Sequence, residues 1–178
     1  MKRSLVVSIS VLFIISSFAL PVIADSILVR FDGGIGSIPT RSGAADGTVR
    51  ANDVLGINPG GRPWVIGDLR GFVKSSGRIR LSGKKLLLGG GGGIGTPATP
   101  RDVFVTLFCS NDGNIEHNSD PVPVEPDGDF RVNDMLSNNV PTYGCDDPVL
   151  LVRNFPSGSW FAAGIPVVNN RHDDDDDD

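Results

Sequence analysis

The chain has 178 residues, a formal net charge of −5, 39% hydrophobic residues, two cysteines and two histidines. His117 and His172 are too few for a multi-histidine zinc or copper site within one chain. Lys2 and Arg3 aside, the body from Asp25 to His172 carries 14 basic against 15 acidic residues, the other six acids being Asp173–Asp178. No Lys/Arg stripe stands out along that body, so nucleic acid is not an expected partner.

In chain order, Lys2 and Arg3 form a basic start, Leu5–Leu20 is apolar apart from serines, and Val22-Ile23-Ala24 ends on a small residue. This layout predicts a secretory signal peptide over residues 1–24, cut between Ala24 and Asp25. A membrane-spanning helix needs about 20 apolar residues. This run is shorter, carries Ser8, Ser10, Ser16 and Ser17, and stops at Pro21, so no membrane span is expected after cleavage. The expected location is secreted or periplasmic. In that oxidising setting Cys109 and Cys145 are expected to form one disulfide, their spacing being wrong for a redox Cys-x-x-Cys pair. With Asp25 and not a cysteine directly after Ala24, lipid attachment at a new N-terminus is not expected.

The mature chain shows no helical periodicity and instead repeats short β-rich runs followed by Gly, Pro, Asn or Asp turns. Ser26–Phe31 reads as a strand with Ile27, Val29 and Phe31 on one face. Gly33–Asp46 reads as a long mobile loop, and Val49–Ile57 as a weaker strand. Asn58-Pro59-Gly60-Gly61 turns into Pro63–Lys74, with Trp64, Ile66 and Phe72 as expected core anchors, and Ser75-Ser76-Gly77 leads to Arg78–Ser82 as a hairpin. Asp102–Cys109 is apolar on both faces, the mark of a central strand covered on both sides. Pro121–Pro126 fits an edge strand because its prolines donate nothing to a ladder. Asp127-Gly128-Asp129 turns into Phe130–Val132, and Pro148–Arg153 and Trp160–Val168 follow. Eight or nine strands at this spacing predict an antiparallel β-sandwich with long Gly-rich loops and one disulfide, a small β-barrel being the alternative. Residues 25–168 form the single domain. Residues 169–178, ending in six aspartates, are expected to be a disordered acidic tail.

The motifs that might carry chemistry are weak in context. Gly90, Gly92 and Gly95 match the dinucleotide-binding spacing inside a glycine run, but Thr96-Pro97 follows instead of a helix start. The Gly-Gly-Ile-Gly string at Gly33–Gly36 recurs at Gly92–Gly95 and suggests two similar turns. Ser82 and Lys85 have Ser-x-x-Lys spacing, yet that pair works on a helical turn and this segment reads as a strand end. His117 lies in a polar run and reads as a solvated loop histidine. Asp127, Asp129 and Asp134 lack the pattern of a calcium loop, and turn chemistry accounts for the first two. Asp146 and Asp147 suit a loop cap or a calcium ligand; Trp64 and Trp160 suit core packing better than sugar stacking. No cofactor, catalytic set or metal site is assigned.

Several strings together resemble a group of uncharacterised exported bacterial proteins: Asn58–Trp64, Gly83–Gly92, Gly128–Val132, Cys145–Asn154 and Ser159–Pro166. That resemblance covers about Val49–Pro166 and implies export without implying an activity. The order of Cys109 strand, Asp-Gly hairpin and Val149–Arg153 strand is loosely similar to transthyretin- or immunoglobulin-like sandwich modules, a likeness of architecture only. The expected role is a secreted, non-enzymatic binding or structural module. Its partner is an unknown protein or surface ligand, met through the Gly-rich loops at Gly33–Asp46 and Gly89–Gly95. The alternatives are an exported hydrolase using His117 or the aspartates, or a secreted protease inhibitor.

Overall fold

The structure, a computed structural model, describes residues 25–39, 41–43, 49–98 and 101–167. The expected signal segment up to Ala24, residues 44–48 and the acidic tail lie outside the described residues. The strands in chain order are β1 (Ile27–Gly36), β2 (Arg41–Gly43), β3 (Val49–Ala51), β4 (Trp64–Val65), β5 (Asp68–Lys74), β6 (Arg78–Lys84) and β7 (Leu87–Leu88). They continue with β8 (Asp102–Phe108), β9 (His117–Asn118), β10 (Val122–Pro123), β11 (Phe130–Met135), β12 (Val149–Phe155) and β13 (Trp160–Pro166). The sole helical turn among the described residues is a 3-10 turn at Ser110–Asp112.

The all-β antiparallel architecture is as expected from the sequence. Nine strands form one continuous sheet in the order β10-β8-β12-β13-β1-β5-β6-β11, with β9 also paired to β8. The path curls into a half-barrel, so the facing layers of the core are two stretches of the same sheet. Its two end strands, β10 and β11, are joined by a tight turn in which Gly128 N–H donates to Glu125 O at 2.9 Å. Farther along, Ser137 N–H donates to Asn118 O at 2.7 Å, drawing the end of β11 toward β9.

Alternation along each strand sorts the side chains. Val29 and Phe31 of β1, Leu69 and Val73 of β5, Ile79 and Leu81 of β6, and Phe130 and Val132 of β11 point inward. They meet Val103, Val105 and Leu107 of β8 and Leu150 and Val152 of β12 in one core. Gly83 makes room for that packing, since a Cβ there would sit 2.1 Å from the Phe130 ring. On the outer side of β8–β12–β13, Phe108, Leu151 and Trp160 form a second cluster under Val54 and Ile57. The covering loop is fixed to the sheet by Trp160 N–H on Asn58 O at 3.0 Å and Gly60 N–H on Trp160 O at 2.9 Å. Both tryptophans are thus buried, as their apolar surroundings predicted. The disulfide joins Cys109, at the end of β8, to Cys145, just ahead of β12, across a separation of 36 residues.

Three local readings change. Gly33–Gly36 belongs to β1 and is not a loop, because its chain pairs with Ala162–Gly164 of β13. Gly92–Gly95 does turn, held by Ile94 N–H on Gly91 O and Gly95 N–H on Leu88 O, so the two Gly-Gly-Ile-Gly strings differ in structure. Pro63–Lys74 splits into β4 and β5, and Phe72 points outward while Leu69 and Val73 face the core.

Candidate functional site

The inward positions of β1, β5, β6 and β11 are apolar apart from Asp134 at the end of β11, so the other polar side chains of those strands lie on the outer face. The register then decides what meets there. Asp32, Arg70, Ser82 and Arg131 align in one row across the four strands. Arg30, Phe72, Arg80 and Asn133 align in the next, and Arg78 lies opposite Met135 in the row toward the turn. Arg30, Arg70, Arg78, Arg80 and Arg131 are all exposed. Arg70, Phe72, Arg80, Ser82, Arg131 and Asn133 line a shallow groove of about 570 Å³ on this face.

The charges on the face are largely uncompensated. Arg70 Nε lies 3.0 Å from Asp32 Oδ1 and 3.1 Å from Asp68 Oδ1, and the guanidinium of Arg30 sits 6.0 Å from the centre of the Phe72 ring. Arg30, Arg78, Arg80 and Arg131 have no carboxylate partner among the described residues. Diagonal neighbours in a sheet lie about 7–8 Å apart, so Arg80 and Arg131 repel across the groove. Such an array creates a local positive potential. Its guanidinium forks suit carboxylates or phosphates in paired hydrogen bonds. The absence of a basic stripe, inferred from the sequence, is therefore corrected: the stripe runs across strands, not along the chain.

A second hollow, about 280 Å³, opens beside Gly61, Arg62, Trp64, Leu88, Ala98, Arg101 and Phe161. Trp64 and Phe161 stack with centroids 4.1 Å apart, and the Arg101 guanidinium lies 5.1 and 4.9 Å from the two rings. Arg101 Nη1 donates to Asn154 Oδ1 at 2.6 Å. Burial pushes the Arg101 guanidinium below its ordinary pKa. This cation is committed to closing the end of the core over the aromatic pair.

The candidate chemical residues from the sequence occupy structural positions. His117 is fully buried, which corrects its reading as a solvated loop histidine. It sits in β9, with Nε2 2.6 Å from Asp112 Oδ2 and Nδ1 3.3 Å from Ser137 O. Nearby, Arg153 is 8% exposed; its Nη1 donates to Thr106 Oγ1 at 3.1 Å and Glu116 Oε2 at 2.9 Å, and its Nε to Gly158 O at 2.8 Å. Together these bonds fasten the segment after the disulfide strand onto the outer side of β8. Asp127 Oδ1 accepts from Asp129 N–H at 3.1 Å and its Oδ2 lies 3.2 Å from Lys85 Nζ. The Asp129 N–H, and then the Lys85 ammonium, hold the Asp127 carboxyl below its usual range. Asp134 Oδ2 accepts from Asp120 N–H at 2.7 Å, a bond that ties β11 to the segment ahead of β10. Asp147 Oδ2 accepts from Ser110 Oγ at 3.1 Å, a loop contact. Ser82 lies on the arginine face while Lys85 turns away to Asp127, which separates the Ser-x-x-Lys pair. Among the described residues no group of three or more His, Cys, Asp or Glu could hold a metal ion, and no helix is long and apolar enough to cross a membrane.

The sequence does contain the signal that was missed. Arg-x-Arg-x-Ser at Arg78–Ser82, Val-Arg-Phe at Val29–Phe31 and Phe-Arg-Val at Phe130–Val132 each put a cation opposite an apolar side. No family model, no curated protein and no solved structure matches the chain.

Proposed function

We propose that the chain is exported, losing its leader after Ala24, and works outside the cytoplasm as a non-enzymatic binding module. Its ligand is an extended acidic peptide segment held on the face of β1, β5, β6 and β11. One observation carries this reading: five exposed arginines are aligned by register around Phe72, four of them without a carboxylate partner among the described residues. Alternate side chains on β6 repeat at about 6.7 Å, the spacing at which an extended peptide presents alternate carboxylates. Phe72 supplies an apolar floor between the charges. Export is supported by the basic start and apolar run of the leader, and by the Cys109–Cys145 bridge, which suits an oxidising compartment.

The test is titration of the full chain with poly-L-glutamate at low and at moderate salt. Binding is expected, weakening as salt rises. Arg80→Gln combined with Arg131→Gln is expected to weaken it by roughly five- to thirtyfold, from about 0.5–1 kcal/mol per exposed charge pair. Equal affinity in the double variant would remove the face from the proposal.

A further inference from the structure

The arginine face lies beside the point where the described chain ends. Val167 N–H donates to Arg30 O at 2.9 Å, and Val167 borders a hollow of about 250 Å³ with Arg30, Asp32, Arg70 and Phe72. The residues beyond it include Asp173–Asp178, the strongest concentration of negative charge in the sequence. We infer that this acidic segment is the intramolecular occupant of the arginine face, and that an outside acidic ligand must displace it. The inference rests on the reading of that face as an acidic-peptide site, and it adds how access to the site is set.

Reach and charge both allow the contact. An extended chain advances at most about 3.3–3.6 Å per residue, so Asp173 can lie up to about 20 Å from Val167. From β1 to β11 the face crosses three strand spacings, about 14 Å. The six aspartates can therefore lie across all four strands without moving the sheet. Six carboxylates also answer the five cations, of which only Arg70 has carboxylate neighbours among the described residues. Tethering places them at an effective concentration in the millimolar range, where weak, exposed ion pairs become well populated. The body from Asp25 to His172 has near-balanced charge, with a cluster of its cations on one face, and the six aspartates of Asp173–Asp178 are a negative excess beyond it.

The experiment compares the full chain with a variant carrying Asp173→Asn through Asp178→Asn, both titrated with poly-L-glutamate at low salt. The neutral-tail variant is expected to bind about two- to tenfold more tightly. Adding Arg80→Gln and Arg131→Gln to both chains is expected to erase the difference, and the difference should not change with protein concentration. Equal or weaker binding by the neutral-tail variant overturns the inference while leaving the binding reading intact. Failure of both chains to bind poly-L-glutamate overturns the binding reading and the inference with it. A difference that fades as the protein is diluted assigns the segment to the face of a second copy, which overturns the intramolecular form.

Discussion

Arg153 and Arg80 both occupy outward positions on the same curled sheet, yet their surroundings are opposite. Arg153, on β12, is roofed by the segment after Cys109 and spends its donors on Thr106, Glu116 and Gly158, with its guanidinium 5.0 Å from the Phe104 ring. Arg80, on β6, is open to solvent and its side chain forms no ion pair among the described residues. The sheet treats its outer surface in two ways. Over β8, β12 and β13 it is covered, and a charge there must be fully satisfied because burial leaves no water to replace a lost partner. Over β5, β6 and β11 it is bare, and a charge there is free to meet something else. Residue type alone does not separate the two roles; the roof does.

Opening the disulfide should damage the covered side most. Replacing Cys109 and Cys145 by alanine is expected to cost roughly 3–4 kcal/mol of stability from lost loop closure, read as a lower urea midpoint. Poly-L-glutamate affinity should stay unchanged wherever the variant remains folded, since the bare face is on other strands. Loss of affinity in the folded variant would mean that the two surfaces are not independent. Arg153→Met comes next, at about 2–3 kcal/mol, because the buried Thr106 hydroxyl loses its donor, keeping only its bond to Asn118 Oδ1, and Glu116 loses its cationic partner. That figure is below the cost of breaking a fully buried pair, since the Glu116 side chain is 43% exposed. Arg80→Gln, measured the same way, should shift stability by less than about 0.5 kcal/mol while weakening ligand binding. Similar destabilisation by the two changes would erase the distinction.

The smallest effect concerns the turn between β10 and β11. Asp127 has a lower pKa folded than unfolded, so its contribution is whole above the ordinary carboxylate pKa near 4 and is lost as pH falls through the depressed value. Asp127→Asn should therefore flatten the acid limb of the stability curve below about pH 4, its small cost being present at neutral pH and shrinking as the pH falls. An identical acid limb in both proteins would show that the turn carboxylate does not respond to folding.

Much of this fold was readable because its physics is local. Asp102–Cys109 is apolar on both faces, and β8 is indeed paired on both edges and covered on both sides. Asp127-Gly128-Asp129 has its turn chemistry in three consecutive residues, and an isolated cysteine pair leaves one pairing to consider. What escaped depends on phase or on neighbours. Phe72 looked like a core anchor, but the inward phase of β5 runs through Leu69, Gly71 and Val73, with the small Gly71 disguising it. His117 sits among polar residues in sequence and is buried only because Asp112 and Ser137 fold around it. The arginine face needed the register of four strands, of which β1 and β11 stand about a hundred residues apart in the chain. A charge sum hides it, since the positive excess is local and the body from Asp25 to His172 is nearly balanced.

The seam at Asp127 and Asn118 has a consequence for behaviour at high concentration. Exposed sheet borders template strand-by-strand growth between molecules. Here one border, β10, is two residues long and flanked by Pro121 and Pro126, with Pro123 within it. Near the other, Asp134 presents a carboxylate already engaged by Asp120 N–H. Among the described residues these short, proline-bearing or partly engaged rims limit the template for strand-by-strand growth by geometry, in addition to any effect of net charge.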